Sequence, residues 1–330
     1  MNLVEGDLPK LAVILVNWNG WQDTAACLAS LLPTLPPQSK VLVCDNASSD
    51  DSLSHLTQWA QAHIGLTGWC SYKRGDAEQG GRPDDPSLIL IDTEANLGFA
   101  GGNNVGIRYA LAQGFNYVWL LNNDTVVNVH TASELLLRMM ADTRIGMCGS
   151  TIFYYDHPDT VQCFAGSAFD FRSAIGMPIG FGPKPDRLPP TQEVEQQLAH
   201  ISGASMMVSR AFLDQVGLME ESYFLYFEEI DWATRTQDRF VLGWAPLSHV
   251  WHKEGASIGS SHRLRPSDTS LTYICNNRLK FTRERMPQHY RSVQRRMLRE
   301  TLVYAKRGDW QAVRIYLQSL LGRASPKAIA

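Results

Sequence analysis

The chain has 330 residues, of which 44% are hydrophobic and 19% charged, so it can bury a large core and is unlike disordered chains. The formal net charge of −3 gives no general attraction to nucleic acid, and we expect no nucleic-acid partner. No apolar run approaches the roughly 20 residues that span a bilayer, and residues 1–10 lack the pattern of a signal peptide, which predicts a cytoplasmic protein.

Strands and helices alternate in the first part of the chain. Four continuous apolar runs are typical of strands buried on both faces of a parallel sheet, namely "LAVILV", "KVLVC", "SLILI" and "YVWLL". Helical patterns are found at about 21–32, 51–63, 101–114 and 131–141. The Gly-, Asp- and Pro-rich stretch 65–86 reads as an inserted loop. This alternation predicts an α/β fold with a doubly wound, mostly parallel sheet.

The pattern changes after Thr151. Short β-like pieces come first, then the strand "HISGASMMVSR" and the helical spacing of "FEEIDWATRTQ". The last third predicts three helices, at about 271–284, 289–306 and 310–321. Their arginine-rich side is typical of a solvated face, and it also allows a peripheral contact with anionic lipid.

Polar residues stand at the ends of four consecutive predicted strands. Ligands of open parallel sheets bind beyond the carboxyl ends of the strands. One polar ending is ordinary turn chemistry, whereas four at one edge predict a floor of hydrogen-bonding groups. The residues are Asn17 and Asn19, Asp45 and Asn46, Asn96, and the run Asn122, Asn123 and Asp124.

The usual glycine cradle for phosphates is missing. The first strand is followed by "NWNGWQD", which lacks G-x-G-x-x-G, and no P-loop is present. "GFAGGNNVG" is glycine-rich but follows the third strand, where such a match is weak. Asp124 suggests another solution, in which a divalent cation held by the carboxylate binds a diphosphate.

Six segments of the sequence resemble the motifs of a known family. The segments "VILVNWNG", "CDNASSDDS", "NLGFAGGNNVG", "LLNNDT", "SGASMMVSRAFLDQVG" and "YFEEIDWATR" look like the ordered motifs of family 2 glycosyltransferases, in their bacterial rhamnosyltransferase-like branch. The resemblance implies a GT-A fold and an inverting sugar transfer from a nucleoside-diphosphate sugar to a glycan or lipid-linked acceptor of the cell envelope. It favours dTDP-rhamnose as donor and leaves UDP-sugars open.

The resemblance also implies roles for individual residues on the donor side. Asp124 stands where the family binds Mg²⁺ or Mn²⁺, and His252 stands where several relatives place a metal ligand, with His249 as the nearby alternative. A single carboxylate replaces the two of many relatives, because Asn122 occupies the first position. The residues expected to bind the donor nucleotide are Asn17, Asn19, Asp45, Asn96, Asn103 and Asn122.

Direct displacement at an anomeric carbon needs a base for the acceptor hydroxyl. Glu228, Glu229 and Asp231 are close together, which should raise the pKa of at least one of them. Acids at a helix N-terminus also complement the helix dipole and need no other role. Matching the family motif favours Glu229 as the base and Asp231 as second choice. The acceptor or sugar pocket is expected to contain Gly203, Ala204, Glu228 and Trp232, with simple packing as the alternative.

Two further expectations concern organisation and class. We predict a GT-A catalytic domain over residues 1–262, with a nucleotide-binding half to about 125 and an acceptor half from 126, and a helical C-terminal extension over 263–330. The alternatives to a transferase are a sugar nucleotidyltransferase and a non-catalytic sugar-nucleotide-binding protein. "NWNGWQD" lacks the Gly-rich, Arg- or Lys-bearing loop of the former.

Overall fold

The computed structural model describes residues 9–253 and 265–325, which form an α/β fold. The strands are β1 Leu11–Asn17, β2 Lys40–Asp45, β3 Trp69–Lys73, β4 Leu88–Asp92, β5 Tyr117–Leu121, β6 Thr125–Val127, β7 Ile145–Tyr154, β8 Thr160–Phe164, β9 Gly166–Asp170, β10 Ile175–Pro178, β11 Gly182–Pro183, β12 His200–Ile201, β13 Ser205–Ser209 and β14 Val241–His252. The α-helices are α1 Trp21–Leu31, α2 Ser52–Ile64, α3 Arg74–Glu78, α4 Gly98–Ala112, α5 Thr131–Ala141, α6 Thr191–Glu195, α7 Arg210–Val216, α8 Glu228–Thr234, α9 Asp268–Arg285, α10 Tyr290–Lys306 and α11 Trp310–Leu320.

Eleven strands form the main sheet, in the order β11-β8-β7-β13-β5-β1-β2-β4-β3, with β14 paired to both β7 and β6. The pairs among β5, β1, β2, β4 and β3 are all parallel, whereas β13 runs antiparallel to its neighbours. Strands β10, β9 and β12 form a separate three-stranded sheet. The predicted fold class is confirmed: a large, mostly parallel sheet is combined with helices at the C-terminus.

The continuous apolar runs are explained by burial on both faces of the sheet. In β1, Ala12 and Ile14 pack into one hydrophobic cluster with α4, while Leu11, Val13 and Leu15 pack into another with α1. Because successive side chains of a strand point to opposite faces, a strand covered on both sides has no polar positions.

Glycines let α4 lie close to the strands. A Cβ on Gly102 would come within 2.9 Å of Val16, and one on Gly106 within 2.8 Å of Ile14. This packing accounts for the glycine-rich "GFAGGNNVG" without any phosphate cradle. The segment brings the start of α4 over the end of β1.

The prediction of an inserted loop over residues 65–86 is wrong. Its residues include the edge strand β3, parallel to β4, and the short helix α3. Tyr72 on β3 and Tyr109 on α4 both donate hydrogen bonds to the buried carboxylate of Asp85, at 2.6 and 2.8 Å. The Gly, Asp and Pro content concealed a strand that long-range contacts hold in place.

The three predicted C-terminal helices are confirmed as α9, α10 and α11, which pack together around Phe281, Met297 and Ile315. Tyr223 and Ile230, from the region of α8, belong to the same hydrophobic cluster. The predicted domain boundary at 262/263 lies outside the described residues, so the division into domains stays a prediction. Within residues 9–253 and 265–325, no helix is long and apolar enough to cross a bilayer. All six cysteines are described, and each is a free thiol.

Candidate active site at the carboxyl edge of the sheet

The carboxyl ends of β1 and β2 are joined by buried side chains. Asn17 has no exposed surface, donates to Asp45 Oδ2 at 2.6 Å and to Ser48 Oγ at 3.2 Å, and accepts from Thr24 Oγ1 at 2.7 Å. These bonds occupy the amide, so the structure corrects the expected contact between the Asn17 side chain and a nucleotide. Asn17 instead lies buried at the sheet edge, where its hydrogen bonds connect the ends of β1 and β2.

Asp45 lies beside Asn17 and is only 3% exposed. Ser48 donates to it from the backbone N at 2.9 Å and from Oγ at 2.8 Å. With the bond from Asn17, three of a carboxylate's roughly four acceptor positions are used, which leaves room for one further donor. Asn19 arranges the same loop, because its Oδ1 accepts from Ser49 N at 2.7 Å. Nucleotide contacts by Asp45 and Asn19 stay predictions.

The third strand end is organised around the start of α4. Asn96 Oδ1 accepts from Gly98 N at 3.1 Å and thereby shapes the turn into the helix. Asn103 is buried, and its Nδ2 donates to Phe99 O within the same helix at 2.9 Å. That intrahelical bond gives no support to the predicted nucleotide contact of Asn103, whereas Asn96 remains partly exposed at the edge.

The run after β5 meets His252. Antiparallel pairing of β14 with β6 places His252 opposite Thr125, so that its Nε2 lies 3.1 Å from Asp124 Oδ1 and 3.3 Å from Asn122 Nδ2. Asn123 turns inward and donates to Thr24 Oγ1 at 2.9 Å. The three polar residues therefore have different roles, and two of them converge on one histidine.

His249, the alternative histidine, is not at this position. Its ring packs edge-on against Phe153, with the ring centroids 5.3 Å apart. Burial, together with the charge of Lys184, lowers the pKa of His249. The structure thus brings His252, and not His249, to Asp124.

Gln162 fixes the orientation of His252. Located on β8, it accepts a hydrogen bond from His252 Nδ1 at 3.0 Å, which leaves Nε2 directed at Asp124. Burial tends to raise the pKa of Asp124, but the charge and hydrogen bond of His252 and the charge of Lys253 outweigh it, so the pKa is lowered. Nothing in the sequence singled out Gln162, because a lone glutamine on a strand carries no pattern.

The pair of Asp124 and His252 fits a divalent cation. Asp124 Oδ1 is buried and faces His252 Nε2. Its 3.1 Å separation from His252 Nε2 is close to the roughly 3 Å between neighbouring ligands of an octahedral ion held at about 2.1 Å. The protein would supply few of the ion's ligands, since no group of three or more His, Cys, Asp or Glu side chains converges within the described ranges.

The acidic helix α8 is linked to this edge through two small residues. Gly203 N donates to Glu229 Oε1 at 2.7 Å, and Ala204 O accepts from Asn122 N at 3.1 Å. A Cβ at position 203 would lie 2.5 Å from Glu229 Oε1, so glycine permits the contact. The close approach expected at Gly203 is made by the acidic side chain itself, and a sugar contact there stays a prediction.

The three acids of α8 differ in environment. Glu228 is 3% exposed, and burial, with a smaller contribution from Glu229, raises its pKa to about 8. Glu229 is partly exposed at the helix N-terminus. Asp231 is fully buried between Arg285 Nε at 2.7 Å and Arg235 Nε at 3.0 Å. The expected raised pKa is confirmed at Glu228.

Two expectations near these acids need correction. Asp231, the second choice for the base, is inaccessible to an acceptor hydroxyl, because both oxygens face arginines inside the protein. It orients α8 instead. Trp232 also has no exposed surface, and its Nε1 donates to Gly217 O at 2.8 Å. It belongs to the core and not to a sugar pocket.

Comparisons with known proteins show the family and the fold of the chain. The family model described as "Glycosyl transferase family 2" matches residues 12–217. The low-salt glycan biosynthesis hexosyltransferase Agl10 of Haloferax volcanii is 26% identical over 242 residues, which are 70% of this chain and 62% of that protein. The chain therefore spans less than two thirds of that relative's length.

Two solved structures share the fold. The mannosyltransferase PcManGT from Pyrobaculum calidifontis, in complex with GDP-Man and Mn²⁺, has a TM-score of 0.53 at 13% identity, covering 97% of this chain and 88% of its own. GalNAc-T7 with UDP, GalNAc and Mn²⁺ has a TM-score of 0.54 at 16% identity, covering 81% of this chain and 48% of its own.

Proposed function

The chain belongs to glycosyl transferase family 2, and we propose that it is an inverting, metal-dependent enzyme that transfers a hexose from a nucleoside-diphosphate sugar to a glycan or lipid-linked acceptor. One observation carries the proposal. Asp124 and His252 face each other at the sheet edge, and Gly203 and Ala204 connect that edge to Glu229. The site thus combines a cation-binding pair with a partly exposed carboxylate.

Asp124 and His252 would hold Mg²⁺ or Mn²⁺. When bound, such an ion neutralises the charge that develops on the departing diphosphate. Gln162 accepts from His252 Nδ1, so that Nε2 faces Asp124, and the backbone N of Lys253 donates to Asp124 O at 3.0 Å. Both contacts hold the pair in place before the donor arrives.

Glu229 would act as the base. Its Oε1 is held by Gly203 N, so Oε2 takes the proton of the acceptor hydroxyl. As that proton leaves, the acceptor oxygen bonds to the anomeric carbon, and the bond from this carbon to the diphosphate oxygen breaks. A single displacement inverts the anomeric configuration. Burial raises the pKa of Glu228, which favours its neutral form and makes Glu229 the better base of the two.

The donor can be identified by thermal unfolding. We would heat the protein with Mn²⁺ and dTDP-rhamnose, UDP-hexoses or GDP-mannose, and then test the stabilising donors for hydrolysis or for transfer to envelope extracts. We expect one donor class to raise Tm, because a ligand that binds the folded protein stabilises it, and we expect that donor to be turned over. Stabilisation without turnover, even with extracts, would favour a non-catalytic sugar-nucleotide-binding protein. No stabilisation by any donor would contradict donor binding.

The C-terminal helices support a peripheral contact with the inner face of the cell membrane. One stripe runs along α11 and includes Leu321, the residue after the helix, with the spacing i, i+4, i+7 and i+11. It contains Trp310, Arg314, Leu317 and Leu321, and its three apolar members are 68, 43 and 66% exposed. Exposed arginines on α10 add positive charge. Apolar and aromatic side chains among basic ones suit an anionic lipid surface.

Vesicle sedimentation tests this contact. The protein should pellet with vesicles that contain phosphatidylserine and stay in solution with pure phosphatidylcholine. Trp310→Ser should reduce pelleting, whereas Leu66→Ser, which removes a side chain that is 81% exposed elsewhere, should not. Equal pelleting by both variants would exclude α11 as the contact.

A further inference from the structure

The segment Tyr223–Phe227, which leads into α8, has a strained main chain. Phe224, Tyr226 and Phe227 have φ angles of 60°, 68° and 76°. Left-handed φ values are uncommon for bulky aromatic residues, and they persist only where surrounding contacts hold them. Glu228 and Glu229 follow directly, so the conformation of this segment determines where the acids lie.

Asn277, from the middle of α9, binds this segment. The residue is 5% exposed, and its Nδ2 donates to Tyr223 O at 2.8 Å, to Leu225 O at 2.8 Å and to Tyr226 O at 3.1 Å. A buried amide is unfavourable unless it is hydrogen-bonded. All three carbonyls belong to the strained segment, so the contact joins the C-terminal helices to the approach to α8.

Further contacts hold the same region. Arg285, at the end of α9, donates from Nε to Asp231 Oδ1 at 2.7 Å and so fixes α8 itself. On the opposite side, Phe99 N donates to Phe224 O at 2.7 Å. Gly98 has φ +69°, and a Cβ there would lie 2.3 Å from Phe224 O. The strained segment is thus held between the start of α4 and α9.

We propose that Asn277 is a positioning residue, through which α9 sets the reach of Glu229 toward the acceptor. The inference rests on the proposed function, in which Glu229 is the base. It assigns to the C-terminal helices a part in turnover that is separate from donor binding, because Asp124 and His252 take their contacts from β5, β6, β8 and β14.

The chain offers a matched control in the neighbouring asparagine. Asn276 lies one residue earlier on α9, and its Nδ2 donates to Ala324 O at 3.1 Å, away from the strained segment. We would compare Asn277→Ala with Asn276→Ala for calorimetric binding of UDP and GDP with Mn²⁺, for kcat and KM with the donor that the wild type turns over, and for amide hydrogen exchange.

We expect Asn277→Ala alone to lower kcat by about 10- to 100-fold, since small displacements of a catalytic group have effects of that size. Donor KM and nucleoside-diphosphate affinity should be unchanged in both variants. Exchange should rise over residues 223–231 in Asn277→Ala and stay constant over 117–127. Asn277→Gln, which keeps an amide donor, should recover part of kcat. Should Asn277→Ala fail to fold, Arg285→Lys weakens the same support while keeping the charge, and the same fall in kcat is expected.

An unchanged kcat in Asn277→Ala, or an equal fall in Asn276→Ala, would overturn the positioning role while leaving the proposed function intact. A fall in kcat without faster exchange at 223–231 would also overturn it. A wild type that binds no nucleoside diphosphate and turns over no donor would instead refute the proposed function, and with it this inference. The two failures are therefore distinguishable.

Discussion

The two ends of the candidate site are built differently. At the donor end, strand termini that are neighbours in the sheet hold Asp124 and His252, and their positions follow from the pairing of β6 with β14. At the acid end, Glu229 sits on a short helix whose approach is strained and is held by Gly203, Asn277 and Arg285 from distant parts of the chain. Binding and turnover should therefore be separable by mutation.

Glu229→Gln should have the largest effect. Removing the base should lower turnover by about 10²- to 10⁴-fold, while Mn²⁺-dependent binding of nucleoside diphosphate remains. Steady-state kinetics and calorimetry on the same preparation measure both. Asp231→Asn serves as the comparison: if it abolished transfer in a folded protein while Glu229→Gln kept full activity, the assignment of the base would be wrong.

Asp124→Ala should affect the other end. Asp124 is the only carboxylate of the Asp124–His252 pair. Its loss should weaken metal-dependent nucleotide binding by at least about 100-fold, because the loss of a residue that only hydrogen-bonds a metal ligand already costs about 10- to 100-fold. Calorimetric titration of the nucleoside diphosphate with and without Mn²⁺ measures the change. Retention of the metal effect would place the ion elsewhere.

Gln162→Leu should weaken apparent Mn²⁺ affinity by about 10- to 100-fold, because the His252 ring loses the partner of its Nδ1. Titration of Mn²⁺ at saturating nucleoside diphosphate measures this affinity. At saturating Mn²⁺, kcat should return to the wild-type value. A lower kcat that excess metal does not restore would mean that Gln162 acts on the acid end.

The smallest effect concerns the pH dependence of stability at the acid end. The pKa of Glu228 is raised from 4.5 to about 8, so the folded protein holds a proton that the unfolded chain lacks between these values. The resulting stabilisation is complete below pH 4.5 and is lost as the pH rises through 8. Relative to Glu228→Gln, the wild type should therefore lose on the order of 1 kcal/mol of unfolding free energy per pH unit between roughly pH 5.5 and 7.5. Urea unfolding at three pH values tests this, and parallel curves would contradict it.

Periodicity made most of the fold predictable. Four buried strands and the three C-terminal helices follow from apolar patterns in the sequence. Burial on both faces of a strand gives a continuous apolar run, and burial of one face of a helix gives apolar residues at helical spacing. Strand β3 was not predicted, because Gly, Asp and Pro surround Trp69 and Tyr72. Its stability comes from long-range contacts with β4 and Asp85.

The site was predictable to a different degree at its two ends. Polar residues after four strands indicated the edge at which Asp124 and His252 meet, but they could not separate Asn17, which is buried, from Asn122, which lies next to His252. Gln162 and Asn277 act through partners 90 and about 50 residues away, and no local pattern reveals such contacts. Sequence motifs indicated the candidate residues, whereas the contacts that hold those residues required the structure.

The proposed metal site at the donor end consists of Asp124 and His252. Its most direct test is calorimetric titration of nucleoside diphosphate with Mn²⁺ into His252→Ala and His249→Ala, two substitutions three residues apart on β14. We expect His252→Ala to lose most of the Mn²⁺-dependent affinity and His249→Ala to keep it. The reverse result, or equal losses in both variants, would contradict this metal site.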